Sequence, residues 1–345
     1  MVHVVAFMRQ SRGARQTIWM SDLTLLASPG TRTMWKIRAF WAAATVGLVT
    51  TLCSPAAVLA QTVAPSGVAE PANPQLPPED NFETPYTLGM GAGARAGATG
   101  TSALAYNASN MAAVSAYHIE AFSQIIPGGG NTYWTIGSAV TDSTTAKKLA
   151  LGTGFRGIFS GSERRYKGWD WRTAVGIQVI EQLGVGLGVR WGRMRAESFD
   201  GQPLAPTFNG VTLDASMTIT PIPWLKVAGL GYNLIKTRSS LAPQMAGGSV
   251  SLAPIESVSF GGDILVDLST FERNELVAGA GVQFIAGEVA PLRAGYRRDS
   301  GRNLNQITAS AGFNKGKFAI EGALRQTLGS QKESYILIMT RFVVQ

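Results

Sequence analysis

Leu183–Arg195 reads LGVGLGVRWGRMR. Leu183, Val185, Leu187, Val189 and Trp191 fall on one face, and Gly184, Gly186, Gly188, Arg190 and Gly192 on the other. Period-two alternation marks a β-strand, whose successive side chains point to opposite sides. The make-up of the two faces decides the fold. One is large and apolar. The other is mostly glycine with an arginine, not the ordinary charged face of a strand that looks onto water.

The pattern recurs along the chain. Val211, Leu213, Ala215, Met217 and Ile219 oppose Thr212, Asp214, Ser216, Thr218 and Thr220. Val258, Phe260, Ile264 and Val266 oppose Ser257, Ser259, Asp263 and Asp267, and Ile307, Ala309, Ala311 and Phe313 oppose Gln306, Thr308, Ser310 and Gly312. Strands are predicted at 117–126, 132–141, 148–159, 170–180, 183–196, 211–220, 224–236, 244–252, 257–268, 274–286, 290–298, 304–313, 317–327 and 333–343, fourteen in all. Reading 237–254 as one loop would leave an odd count. Ala246, Gly248, Val250 and Leu252 share a face, and admitting that strand puts both ends of the barrel on one side, as transmembrane barrels require. Backwards from the C-terminus, 328–332 is then external, 314–316 periplasmic, 299–303 external, 287–289 periplasmic and 269–273 external.

A soluble sandwich would bury one face in interlocking large side chains and charge the other. Here the second face is Gly, Ser, Thr and Asn with scattered charges, which suits a barrel lumen. Trp134, Trp169, Trp171, Trp191, Trp224, Tyr232, Tyr296, Phe313 and Phe342 sit near strand ends, as interfacial girdles do. The fold class expected is all-β, an antiparallel transmembrane β-barrel of about fourteen strands with a short N-terminal small-residue plug or helical segment. A closed barrel is how β-structure satisfies its backbone in lipid.

The 345 residues carry 15% charge and 45% apolar side chains with 40 Gly, which excludes a disordered chain. One Cys and two His argue against a disulfide framework and most metal chemistry, so no cofactor or metal is expected.

Met34–Ala60 has the form of a secretory signal: Lys36 and Arg38, the apolar run Phe40–Leu52, then Val58-Leu59-Ala60 before Gln61. The run is shorter than the ~20 residues of a spanning helix. Leu52 before Cys53 does not fit a lipidation box. Residues 1–33 are read as an upstream extension or a misassigned start, with Met34 favoured as the start. Without residues 1–60 the charge falls from +8 to +3, because six basic and one acidic residue leave 24 basic and 21 acidic. Nucleic-acid binding thereby loses its support. Residues 61–85 hold six of the 16 prolines and read as a solvated linker, 86–116 as the plug-like segment and 117–345 as the barrel.

Gly152–Gly157 matches G-x-G-x-x-G but lies inside an alternating strand, so nucleotide binding is set aside. His118 shares a face with Glu120, which could orient its ring, yet no nucleophile is placed by spacing. No enzyme activity is expected. The strand period puts Glu120, Arg156, Arg172, Arg190, Asp214, Asp263, Asp267, Arg293, Arg297, Glu321 and Arg325 in the lumen, because a charge facing lipid is costly. They form either a polar, anion-attracting path or paired charges that fill the barrel. The charged stretches Glu163–Lys167 and Arg193–Asp200 read as strand ends or loops facing water or lipopolysaccharide phosphates.

Gly93-Ala94-Arg95-Ala96 and Tyr106-Asn107-Ala108-Ser109-Asn110-Met111-Ala112 resemble the N-terminal region of the FadL-type outer-membrane barrel superfamily, including its PorV-like and TraF-like branches. There a Gly-Ala-Arg stretch precedes a segment ending near N-P-A-G-L/M-A; here Ala108, Ser109 and Asn110 replace its Pro, Ala and Gly. Leu292–Arg297, LRAGYR, is similar to the L-R-x-G-Y strand those barrels show near the C-terminus. The resemblance implies that the N-terminal segment enters the lumen, with Gly93, Arg95, Tyr106, Asn107, Asn110 and Met111 as plug-motif positions. It further implies a Gram-negative outer-membrane protein. One implied role is a passive channel for hydrophobic or amphipathic small molecules; the other is a PorV-like accessory barrel serving secretion or surface-protein assembly. The partners implied are outer-membrane lipid and lipopolysaccharide, a hydrophobic small-molecule substrate, or a periplasmic or surface protein.

Overall fold

The computed structural model describes residues 83–126, 133–160, 165–197, 201–203, 205–329 and 334–344. The upstream extension, the signal and most of the linker lie outside the described residues. No described helix is long and apolar enough to cross a membrane.

Fourteen strands follow a helical N-terminal segment. They are β1 (Tyr117–Ile126), β2 (Tyr133–Ala146), β3 (Leu149–Ser160), β4 (Arg165–Ile180), β5 (Leu183–Glu197), β6 (Phe208–Ile222) and β7 (Leu225–Tyr232). Then come β8 (Met245–Ile255), β9 (Val258–Asp267), β10 (Glu275–Ala286), β11 (Ala290–Asp299), β12 (Leu304–Lys315), β13 (Phe318–Leu328) and β14 (Ser334–Val344). Each pairs with the next, and β14 returns antiparallel to β1, with Tyr117 opposite Val344 and Glu120 opposite Arg341. Closure leaves no sheet edge, so every strand has a partner on both sides.

The two ends differ. Turns of two or three residues at 147–148, 181–182, 223–224, 256–257, 287–289 and 316–317 form the turn end, while connections of four to twelve residues form the loop end. Lys148, Gly287 and Gly316 take positive φ in these turns, as tight hairpins need.

The barrel is inverted relative to a soluble protein. On β5, Leu187 and Trp191 are 62% and 51% exposed, while Arg190 and Met194 are 2% and 0% exposed. Trp134, Trp171, Trp224, Tyr296, Phe313 and Phe342 also face outwards, and Trp169 meets Trp191 edge-on at 4.9 Å. This outer surface is stable only against lipid. Placing arginine at Leu187, about midway between the outward tryptophan and phenylalanine positions, should therefore cost ~2–4 kcal/mol. Reversible folding of L187R into phospholipid vesicles measures it, and an unchanged urea midpoint would mean that this face does not meet lipid.

Two expectations need correction. Tyr232 is not a girdle residue: it is 3% exposed and points into the lumen. The strand expected at 224–236 stops at Tyr232, because Asn233 takes φ 52° and turns inwards. Residues beyond it dock on the part of β6 that β7 does not reach, with Leu234 N donating to Leu213 O at 2.8 Å and Thr212 Oγ1 to Ile235 O at 3.0 Å. The described residues of the two charged stretches are strand ends, as expected: β4 begins at Arg165 with Tyr166 buried, and β5 continues to Glu197. Glu163, Arg164 and 198–200 lie outside the described residues.

Candidate functional site

Residues 83–113 fill the lumen. Thr84 caps the short helix α1 (Pro85–Gly89) in a capping box with Thr87, and Pro85 opens it. Gly91 and Ala92 take positive φ and reverse the chain, which continues through a 3-10 turn (Arg95–Gly97), helix α2 (Gly100–Tyr106) and a second 3-10 turn (Ala108–Ala113). Every residue of α2 is buried.

The glycines of the inner wall are the seat of this plug. A Cβ on Gly281 of β10 would lie 2.6 Å from Met90 Cα, and one on Gly93 of the plug 2.6 Å from Ala280 Cα. Across the lumen, Gly184 and Gly186 of β5 and Gly176 of β4 lie against the backbone of Ala108 and Ser109. Two glycine beds thus let plug backbone approach wall backbone, which any side chain would prevent.

Polar contacts fix the plug in register. Arg95 pairs with Asp263 of β9 at 2.8 Å and lies 5.1 Å and 5.8 Å from the ring centroids of Tyr106 and Tyr232. Ser249 donates to Asp263 and accepts from Ala96 N at 2.7 Å. Asn107 Nδ2 donates to Thr218 Oγ1 at 2.9 Å and to Arg95 O at 3.0 Å, and Tyr232 OH donates to Tyr106 O. Asn110 Nδ2 bridges Ala98 O and Ala96 O at 2.5 Å and 3.2 Å. Met111 is 1% exposed and packs beside Gly152 of β3. Gly93, Arg95, Tyr106, Asn107, Asn110 and Met111 therefore all lie within the plug's own packing or its contact with the wall.

The lumen charges gather in two layers. Nearer the turn end, Glu120 accepts from Thr101 and pairs with Arg341 at 3.1 Å. In the same layer Glu321 pairs with Arg293 at 2.6 Å and with Arg341 at 3.7 Å. Arg293 lies 5.2 Å from the Tyr86 ring centroid, and burial pushes the Tyr86 hydroxyl up to about 12, which keeps it neutral. Nearer the loop end, Asp170 meets Arg190 at 3.0 Å, Arg156 at 3.3 Å and Arg172 at 3.6 Å. Arg172 also reaches Asp214 at 3.7 Å and Ala105 O at 3.2 Å. Glu83 pairs with Arg325 at 2.5 Å and Arg297 at 3.8 Å. Asp267 instead caps its own loop, accepting from Ser269 N and Thr270 N.

Asp170, Glu83 and Arg341 were not among the residues singled out from sequence. Asp170 was legible, since it shares a face with Arg172 between Trp169 and Trp171. Glu83 was not: it was assigned to the solvated linker, yet it is 3% exposed. Glu120 does not orient His118, because its carboxylate is committed to Thr101 and Arg341, and His118 Nδ1 has no hydrogen-bond partner. Gly152–Gly157 lies wholly within β3.

Above the loop-end charges sits an apolar cluster that includes Ile158, Tyr166, Met194, Phe208, Leu241 and Tyr335. Arg325 stacks on Tyr335 at 4.0 Å and Arg190 on Phe208 at 5.3 Å, joining the two layers. Apolar cap, ionic layer and small-residue plug define a class: a transmembrane antiparallel β-barrel whose lumen is stoppered by its own N-terminal segment.

No family model and no curated protein matches the chain. Solved structures do. The chain is similar to the Ralstonia pickettii toluene transporter TbuX, with a TM-score of 0.57 and 13% identity over 76% of this chain and 98% of that one. A Pseudomonas aeruginosa FadL homologue gives 0.57 and 10% over 76% and 98%, and the monoaromatic hydrocarbon channel CymD gives 0.52 and 13% over 74% and 97%. The chain therefore has the fold of the FadL-type outer-membrane barrels. These likenesses lend no support to a PorV-like accessory role.

Proposed function

We propose that this protein is an outer-membrane channel for passive entry of hydrophobic or amphipathic small molecules, closed at rest by residues 83–113. The observation that carries this reading is the apolar cluster at the loop end, above the ionic layer. A channel for polar solutes gains nothing from Phe208, Met194 and Tyr335 at its mouth. A channel for hydrophobic cargo needs such a place to take it out of water. The plug below is held by hydrogen bonds and ion pairs, so it can be displaced without breaking a covalent bond. The fold likeness to a toluene transporter supports the same class of cargo. In this reading residues 34–60 direct export, and the basic loop-end residues face lipopolysaccharide phosphates.

The test is toluene entry into Gram-negative cells that lack a hydrocarbon channel of their own. Cells with this barrel in the outer membrane should take up toluene several-fold faster than cells without it, and F208D should abolish the gain. Equal uptake with the folded barrel present would refute the channel reading.

A further inference from the structure

Beneath the plug, at the turn end, is a cavity of about 320 Å³, within the ~300–1,000 Å³ range of small-molecule sites. His118, Lys226, Arg293 and Arg341 line it, with Glu256 as the one lining carboxylate. Arg293 and Arg341 are already matched by Glu321 and Glu120. Lys226 is not. It projects inwards from the first turn-end residues of β7, and its ammonium donates to Asn110 Oδ1 of the plug at 3.3 Å with no carboxylate at ion-pair distance among the described residues. The lumen arginines named above each have one. His118 Nδ1 is buried against the same cavity without a hydrogen-bond partner. An unmatched ammonium in a cavity is costly as it stands, and an anion that accepts from Lys226 removes that cost; a His118 Nδ1–H tautomer can donate to the same anion.

We propose that the turn-end cavity is a binding site for a small organic carboxylate, with Lys226 as its anchor and the Tyr86 ring beside its apolar body. The ammonium has three donors, so the carboxylate binds beside Asn110 Oδ1, which also ties the plug together through Ala96 and Ala98. The site stands apart from the loop-end cluster and does not depend on the channel reading, because it is read by binding and not by flux.

Benzoate is the probe and benzamide its neutral control, titrated calorimetrically into the full barrel in detergent. Benzoate should bind, and K226M and the exchange for benzamide should each weaken binding about tenfold or more, the worth of one charge-assisted hydrogen bond. K226R should retain most of the affinity. N110D leaves the cation in place but puts a carboxylate beside it, and it should exclude benzoate. Heat-modifiable gel mobility establishes that each variant is folded. Failure of the folded wild type to bind benzoate overturns the proposal, as does binding that survives both K226M and N110D.

Discussion

A chain lacking residues 86–114 will conduct in discrete steps in planar bilayers where the intact protein stays closed. The barrel itself does not depend on the deleted segment for its hydrogen bonding, since each of the fourteen strands is paired on both sides by another strand. What the segment supplies is filling. Ala96, Ala98, Ala103 and Leu104 are between 0% and 5% exposed, and the wall glycines opposite have no side chains with which to replace them. Water enters a space that is both polar and roomy. The lower layer of Glu120, Glu321, Arg293 and Arg341 then lines an aqueous path, and conductance should depend on salt and ion sign through those charges. The loop-end cluster remains in place across the mouth. If a folded deletion variant stays closed, that cluster and not the plug is the seal.

The second large effect is expected at Asp170. Its side chain is fully buried, and three guanidinium groups lie within 3.6 Å of it. Charges removed from water persist only when paired, and taking away one partner leaves the other buried and uncompensated. In D170A three arginines lose their common counter-ion, and Asp214 lies 3.7 Å from one of them, Arg172. The loss should be at or above the ~3–5 kcal/mol typical of a broken buried pair. It will appear as a lower urea midpoint for folding into vesicles. R172M should cost less, since Asp170 keeps Arg190 and Arg156. Equal stability of D170A and the parent would show that the layer tolerates its own positive charge, which would point to bound anions.

The strands were legible because alternation is local. On β5 each side chain declares its face within thirteen residues of sequence, and the structure keeps that phase from Leu183 to Arg195. β7 shows where this fails. Val227, Gly229 and Gly231 share one face and Lys226, Ala228, Leu230 and Tyr232 the inner one, while Leu225 is buried at the turn, so neither side is clearly apolar. From sequence Tyr232 reads as interfacial because it lies near the end of the expected strand. What turns it inwards is its bond to the Tyr106 carbonyl, more than a hundred residues away in the chain.

The candidate site divides in the same way. The period placed Arg156, Arg172, Arg190, Asp263, Arg293, Arg297, Glu321 and Arg325 on inner faces, and the small-residue stretch 93–112 stood out by composition alone. Partners did not. Arg95 meets Asp263 across 168 residues and Glu83 meets Arg325 across 242. Nor does a glycine in a strand reveal whether its missing side chain makes room for water or for another backbone.

Sequence by itself therefore determined the strands, their faces, their number and the even count that lets the barrel close, because each follows from a period-two pattern or a turn. Tertiary structure alone decided how the plug seats on the glycine beds of the wall, which charge neutralises which, and that Lys226 lines a cavity with no carboxylate at ion-pair distance among the described residues. Those outcomes depend on distances between residues far apart in the chain, and only the closed barrel sets them.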